Sequence, residues 1–130
     1  MILNKTYDYK TTGYLTLPSV DEDGIKVLET LKFLGVKNEN IFSFNDAKRE
    51  EMLSFKCKMI GIFEKAQETK TNVLFYFYYA GHGEMYGTST STQIVCSDGS
   101  RFSWEAELAA LSNYIHTYIL AFFDCCRVRK

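Results

Sequence analysis

The stretch NVLFYFYYAGHG, residues 72–83, contains an unbroken apolar run from Val73 to Ala80 and then a Gly-His-Gly turn. A strand that is apolar on both faces is typical of the centre of a parallel sheet that helices cover on each side. The run is too short for a membrane span, which needs about 20 apolar residues. The stretch therefore predicts a buried central strand that ends in a turn bearing a histidine.

The segments on either side of this stretch alternate between helical and strand patterns. Apolar residues recur at helical spacing in three segments, and three short apolar runs are typical of strands. The predicted strands cover residues 40–44, 93–96 and 118–124. The first predicted helix covers residues 19–34, and the second is capped by Asn45, with a core stripe at Met52, Phe55, Met59, Ile62 or Phe63 and Ala66. The third is capped by Ser103, with a stripe at Trp104, Leu108, Leu111 and Ile115. This alternation favours an α/β fold.

The length and composition predict one domain over residues 1–130. With 130 residues, of which 46% are hydrophobic and 24% charged, the chain can bury a core of its own. We expect a three-layer α/β domain with a mostly parallel sheet of about four strands and helices on both faces. The first strand would be short, because its apolar part covers only residues 1–3.

Charge and cysteine content narrow the classes of partner. A net charge of −1 gives no overall field that would attract nucleic acid or an anionic membrane, and we interpret the basic residues of 127–130 as a solvated tail. The N-terminus lacks the long apolar stretch of a secretion signal. The four cysteines form no disulfide framework, since two of them are adjacent and a bond between neighbours is strained. These features predict a cytoplasmic protein with free thiols.

Unusual residues stand at the carboxyl ends of two predicted strands. The central strand runs into Gly81-His82-Gly83, and the last strand runs into Asp124-Cys125-Cys126-Arg127. Ligands and catalytic groups collect at this edge of a parallel sheet, and neighbouring strands lie about 4.8 Å apart. One imidazole and one thiol would then face each other. A thiolate is a nucleophile, a histidine can accept and return its proton, and a glycine lets a backbone N–H approach a developing oxyanion.

A metal site is the main chemical alternative for these residues. His82, Cys96, Cys125 and Cys126 include the ligand types that zinc prefers, but adjacent cysteines rarely reach tetrahedral positions around one ion. We therefore predict no metal site. We interpret His116, Cys57 and Cys96 as structural.

The stretches FYFYYAGHGE, residues 75–84, and ILAFFDCCR, residues 119–127, resemble the caspase-like cysteine peptidases, in particular the metacaspase and paracaspase branches. The segment LPSVDEDGIKVLETLKFLGV, residues 17–36, is similar to the part of this family that follows the first strand. The resemblance implies a cysteine endopeptidase that acts on proteins or peptides. It implies no cofactor, while activation by calcium, which occurs in part of the family, stays open.

The resemblance also assigns roles to individual residues. His82 falls on the catalytic histidine and Cys126 on the nucleophile, and the backbone amides of Gly83 and Cys126 match the oxyanion hole. Asp124 and Asp23 match two acids of the specificity pocket, which implies cleavage after Arg or Lys because carboxylates bind cations. An alternative for Asp23 is a position in the first turn of a helix, where the helix dipole favours an acid.

The sequence also departs from the family pattern. The residues after Cys126 are Arg127-Val128-Arg129, where the family often has glycine, and the resemblance covers only the large-subunit-like region. A first strand and a small-subunit part would be incomplete. Two functions therefore stay open: an active endopeptidase, and an inactive caspase-like fragment or pseudoenzyme that acts as a protein-interaction module. In either case the open sheet edge predicts self-association or binding of a complementing small-subunit segment.

Overall fold

Two four-stranded sheets and four helices make up the computed structural model, which describes all 130 residues. The helices are α1 (Tyr9–Thr12), α2 (Ser19–Phe33), α3 (Arg49–Thr69) and α4 (Trp104–Leu111), with a short 3₁₀ helix at Asn38–Asn40. The strands are β1 (Ile2–Leu3), β2 (Phe44–Asn45), β3 (Val73–Gly81), β4 (Gly83–Met85), β5 (Gln93–Val95), β6 (Arg101–Phe102), β7 (Thr117–Cys125) and β8 (Val128–Arg129).

The main sheet has the strand order β2-β1-β3-β7, and all of its neighbours are parallel. Its two long strands, β3 and β7, pair along their whole length, from Val73 opposite Thr117 to Gly81 opposite Cys125. The predicted α/β fold with a parallel sheet of four strands is therefore confirmed.

One face of this sheet packs against α3 and α4 and forms the core. The indole of Trp104 lies 4.9 Å from the Phe77 ring, measured between centroids, and the Phe63 ring contacts Phe75 edge-on at 5.4 Å. The predicted stripe of α3 is confirmed, since its apolar side chains are buried at Met52, Phe55, Met59, Phe63 and Ala66. Charged residues occupy the other side of α3. No helix in the chain is both long and apolar enough to cross a membrane.

Helix α2 covers part of the opposite face. Val20 and Gly24 are its buried residues, and Gly24 packs so closely on Leu3 of β1 that a side chain there would overlap it. The helix occupies almost the predicted range, and Gly35 follows it in the left-handed conformation that glycine adopts at helix ends. The three layers, helix, sheet and helices, agree with the expectation.

Several element boundaries differ from the prediction. The second strand is Phe44–Asn45 instead of residues 40–44; residue 40 ends the 3₁₀ helix, and residues 41–43 have no regular secondary structure. Asn45 does not cap α3, which begins at Arg49; there the Lys48 backbone N–H donates to the Glu51 carboxylate at 2.8 Å. Helix α4 ends at Leu111, so Ile115 lies outside it and is exposed.

The second sheet was not predicted as a unit. It has the order β6-β5-β4-β8, in which β4 and β5 are antiparallel and β4 and β8 are parallel. Residues 127–130 are exposed, as predicted, but they are not a free tail, because Val128–Arg129 pair with β4 and the Lys130 N–H donates to the Met85 carbonyl at 2.8 Å. A strand of two residues carries no periodicity that a sequence could reveal.

Candidate active site

The two chain segments that carry His82 and Cys126 run side by side through both sheets. Gly81 pairs with Cys125 at the end of the main sheet, and Glu84 pairs with Val128 in the second sheet. The offset is 44 positions in both ladders, so the pairing register continues unchanged across the gap between them. His82 and Cys126 occupy equivalent positions in that gap, where each chain passes from one sheet to the other.

Two glycines allow this close approach. A Cβ atom on Gly83 would lie 2.7 Å from the carbonyl oxygen of Cys126 and 2.8 Å from the Sγ atom of Cys125. A Cβ atom on Gly81 would lie 2.9 Å from the hydroxyl oxygen of Tyr7. Real Cβ atoms do not approach other atoms this closely; at Gly83 the neighbour is a backbone oxygen, and at Gly81 a φ angle of 157° is in addition one that residues with a side chain rarely adopt, so both positions favour glycine. The Gly-His-Gly turn is thus explained by packing against the cysteine segment and a tyrosine.

The imidazole of His82 has a defined hydrogen bond and two aromatic neighbours. Its Nε2 atom lies 2.7 Å from the backbone carbonyl oxygen of Leu15. Because a carbonyl oxygen only accepts, Nε2 carries the hydrogen and Nδ1 keeps its lone pair in the neutral ring. The rings of Tyr7 and Tyr14 lie 4.8 and 4.9 Å from the imidazole, centroid to centroid. The ring is therefore held in one orientation with a free basic nitrogen.

Buried tyrosines hold the backbone of His82. The Tyr7 hydroxyl accepts a hydrogen bond from the His82 N–H at 3.2 Å, and the Tyr79 hydroxyl donates to the His82 carbonyl at 2.8 Å. Burial raises the pKa of Tyr7 and raises that of Tyr79 well above its ordinary value. Both hydroxyls therefore stay protonated at neutral pH, and the histidine backbone keeps both partners.

The adjacent cysteines lie in different environments. Cys125 is the last residue of β7, and its half-buried side chain packs against the core side of the sheet. Burial raises the pKa of the Cys125 thiol to about 11, although the charge of Arg127 opposes the shift. Cys126 follows the strand and is exposed. Of the two, Cys126 is the thiol that solvent and substrate can reach.

This difference predicts which cysteine reacts with an alkylating agent. At pH 8 we expect iodoacetamide to modify Cys126 and to leave Cys125 unmodified, because a thiol of pKa about 11 is only about 0.1% thiolate at that pH. Labelling of Cys125 should rise only as the pH approaches 11, and peptide mass spectrometry separates the two sites. In a Cys126→Ser variant, Cys125 should stay unmodified at pH 8. Equal labelling of both cysteines would contradict the assignment.

One of the two predicted pocket acids, Asp124, contacts Tyr78, and the charge of the other, Asp23, acts on the same tyrosine. The Tyr78 hydroxyl donates to Oδ2 of Asp124 at 2.9 Å. Burial, this hydrogen bond and the charges of Asp124 and Asp23 together raise the pKa of Tyr78. Asp23 lies beyond the first turn of α2, whose acids are Asp21 and Glu22, so the helix-dipole alternative does not explain its position.

A buried carboxylate lies directly after the Gly-His-Gly turn. Glu84 has no exposed side-chain surface, and its two oxygens accept hydrogen bonds from Arg101 at 3.0 and 3.1 Å. The Tyr86 hydroxyl also donates to it, and the Lys130 Nζ atom lies 3.7 Å away. Burial acts to raise the pKa of Glu84, but these hydrogen bonds and positive charges outweigh it, so the pKa lies below its ordinary value. Glu84 is therefore an anion that holds β4, β6 and the residues after Cys126 together.

Several residues around His82 were not found from the sequence. Tyr7, Tyr14 and the Leu15 carbonyl come from an irregular segment near the N-terminus that has no helical or strand periodicity. The second histidine, His116, bonds through Nδ1 to Asn72 at the opposite end of β7. The His, Cys, Asp and Glu side chains form no group of three or more that could hold a metal ion.

Comparison with known families identifies the class of this protein. The model of the caspase domain, peptidase family C14, matches residues 1–130, and the chain therefore belongs to this family. The family is one of cysteine peptidases, and a peptidase domain takes protein or peptide substrates. A search of curated proteins found no match, and a search of solved structures found none.

Proposed function

We propose that the protein is a cysteine endopeptidase of the metacaspase or paracaspase type, with His82 as the base and Cys126 as the nucleophile. The observation that carries the proposal is the unbroken register between the two segments, in which His82 and Cys126 are equivalent positions at adjacent strand ends. The exposed thiol and the free Nδ1 nitrogen of His82 support it.

The proposed reaction has two stages. The Nδ1 nitrogen of His82 accepts the proton of the Cys126 thiol, and the thiolate attacks the carbonyl carbon of the scissile peptide bond. His82 then gives the proton to the leaving amine, and a thioester with Cys126 remains. Water, deprotonated by His82, hydrolyses the thioester and restores the thiol. The thiolate and the imidazole supply the nucleophile and the base, so this chemistry needs no cofactor.

The oxyanion of each tetrahedral intermediate requires hydrogen-bond donors that are already in place. We assign this role to the backbone N–H groups of Gly83 and Cys126. Support comes from the contact distance between the Gly83 backbone and the Cys126 segment, which only a glycine permits. Backbone donors fixed by packing stabilise a developing charge without reorganising during the reaction.

Asp23 and Asp124 are the groups that we propose for substrate specificity. Asp124 accepts a hydrogen bond from Tyr78 close to the end of β7 that leads to Cys126, and the charge of Asp23, on α2, acts on the same tyrosine. A cationic side chain pairs with carboxylates, whereas an acidic one is repelled by them. We therefore infer cleavage after Arg or Lys and not after Asp.

Fluorogenic peptides that differ only in the residue before the cleaved bond test this function. We expect turnover after Arg or Lys and none after Asp, and we expect Cys126→Ala to abolish it. Asp23→Asn should lower kcat/KM for the Arg peptide by about tenfold, which corresponds to about 1.4 kcal/mol. Asp21→Asn is the matched control, because Asp21 lies on the same helix but pairs with Lys5.

Other outcomes of this experiment would decide against the proposal. Faster cleavage after Asp would contradict the cationic pocket. Absence of turnover with every peptide would favour the alternative function, an inactive caspase-like protein-interaction module. The cellular compartment that we propose is the cytoplasm, since all four cysteines are free thiols.

The free edge of β7 supports a partner for either function. β7 is the last strand of the main sheet, and the Val73 N–H donates to the His116 carbonyl at 2.8 Å. In a parallel pair this pattern turns the backbone groups of the even-numbered residues of β7 toward β3. The odd-numbered residues therefore point their N–H and C=O groups outward, without a partner strand.

The side chains along this edge are apolar and exposed. Tyr118, Leu120 and Phe122 are 61%, 47% and 56% exposed, and they share one face of the sheet. No charged residue occurs from Thr117 to Phe123, so the strand lacks the charges that usually protect a free edge. An uncharged, unpaired edge of this length favours association with another strand.

We propose that a second copy of this chain occupies the edge, with the two β7 strands antiparallel about a twofold axis at Leu120. The uncharged stretch is centred on Leu120, so this register places Leu120 opposite Leu120 and Tyr118 opposite Phe122. Cross-strand aromatic pairs of this kind stabilise a sheet. Asp124 and the cysteines stay outside the paired stretch. A complementing small-subunit segment is the alternative occupant.

A further inference from the structure

The loop between α1 and α2 carries the carbonyl that fixes the His82 ring. The Leu15 carbonyl accepts the hydrogen bond from Nε2, yet the Leu15 side chain is 66% exposed and contributes little to holding the loop. The backbone N–H of Leu17 donates to the Lys5 carbonyl at 2.9 Å, which ties down one side. The other side of the loop needs a separate anchor.

Tyr14 supplies this second anchor. Its hydroxyl accepts a hydrogen bond from Nη2 of Arg101 at 2.9 Å, and the Arg101 guanidinium also lies over the Tyr14 ring, 5.6 Å from its centroid. The ring of Tyr14 is in turn 4.9 Å from the His82 imidazole. Tyr14 is therefore the residue directly before Leu15, and its ring also contacts the imidazole that the Leu15 carbonyl binds.

Arg101 is itself held in place by Glu84. The guanidinium donates to both carboxylate oxygens of a side chain that is completely buried. A two-point contact of this type fixes the plane of the guanidinium, as a single contact would not. The position of the Tyr14 hydroxyl is thus set by the core of the second sheet.

We propose that Tyr14 is a positioning residue for His82, and that Arg101 holds Tyr14 in place for this task. Tyr14 places the Leu15 carbonyl so that the neutral imidazole keeps its hydrogen on Nε2 and its lone pair on Nδ1. Without the anchor, the carbonyl moves away and the two tautomers of His82 mix. Only one part of this inference rests on the proposed function, namely that Nδ1 accepts the proton of the Cys126 thiol.

A pair of Tyr→Phe variants tests this inference. Tyr14→Phe keeps the aromatic ring against His82 and removes only the hydroxyl that Arg101 binds. Tyr86→Phe is the matched control, because its hydroxyl also bonds to Arg101 and to Glu84 but Tyr86 makes no hydrogen bond to the loop. The ¹⁵N shifts of the imidazole nitrogens report the tautomer directly, and His116 serves as an internal reference since the chain has 2 histidines.

In the wild-type protein we expect the neutral His82 ring to carry its hydrogen on Nε2. In Tyr14→Phe we expect mixed tautomers of His82 and an unchanged tautomer of His116. We also expect Cys126 to be alkylated about tenfold more slowly, because a misplaced base loses part of the rate that a positioned base contributes. Tyr86→Phe should resemble the wild type in all three measurements.

The remaining outcomes separate this inference from the proposed function. An unchanged His82 tautomer in Tyr14→Phe overturns the inference. Equal effects in both variants also overturn it, because the influence would then run through Glu84 and not through the loop. A changed tautomer with an unchanged alkylation rate supports the positioning role of Tyr14 and contradicts the pairing of His82 with Cys126.

Discussion

Replacement of His82 should lower the rate of peptide hydrolysis by about 10²- to 10⁴-fold, the range that a general base contributes. His82→Gln is the informative variant, because glutamine keeps most of the volume between Tyr7 and Tyr14 and provides no base. The measurement is kcat/KM for a peptide that ends in Arg at the cleaved bond, together with the rate at which iodoacetamide modifies Cys126. Both values should fall in the variant.

His116 provides the control for this experiment. It lies before β7, at the opposite end of the strand from the cysteines, and its φ angle is 69°. His116→Asn is therefore preferable to alanine, since asparagine tolerates the left-handed conformation. We expect His116→Asn to hydrolyse the peptide at the wild-type rate. A His82→Gln variant that is fully active and correctly folded would rule out His82 as the base.

Self-association through β7 should be lost when a charge is placed at the centre of the strand. Leu120→Lys puts two lysines opposite each other across the proposed twofold axis, and like charges directly opposite destabilise a strand pair. Light scattering coupled to size exclusion should give twice the chain mass of 15.0 kDa for the wild type and a single chain mass for the variant.

Leu74→Lys is the matched control for this prediction. Leu74 is 54% exposed and lies next to Tyr118 on the same face, but it belongs to β3 and not to the edge. We expect this variant to remain dimeric. If Leu74→Lys also becomes monomeric, the copies associate through the apolar face and not by strand pairing. A wild-type protein that is monomeric at high concentration would exclude a second copy and favour another partner for the edge.

The sequence was informative where apolar patterns are long. The strand predicted over Val73 to Ala80 and the buried stripe of α3 are both confirmed, although the strand is fully buried only toward its C-terminal end and Leu74 is exposed. The pairing of β3 with β7 agrees with the expectation that the strands ending at His82 and at the cysteines are neighbours, as functional residues collect at one edge of a parallel sheet. The strand and the stripe are each predicted by many residues that follow the same apolar pattern.

The second sheet and the loop at Leu15 could not be predicted for the same physical reason. β6 and β8 have two residues each, and their position depends on hydrogen bonds to distant parts of the chain and on Glu84. The contact of His82 with Leu15 uses a backbone carbonyl, and every residue has one. A group common to all residues leaves no signature in the order of side chains, whereas His82 and Cys126 are chemically distinctive.

The constant offset between the two ladders limits how this region can change in length. One residue inserted between β3 and β4 would shift the second ladder against the first, and His82 would lose its position opposite Cys126. An insertion of equal length between β7 and β8 would restore the pairing on both sides. The two turns are therefore expected to gain or lose residues only together, so that relatives of this chain should differ in length at both turns or at neither.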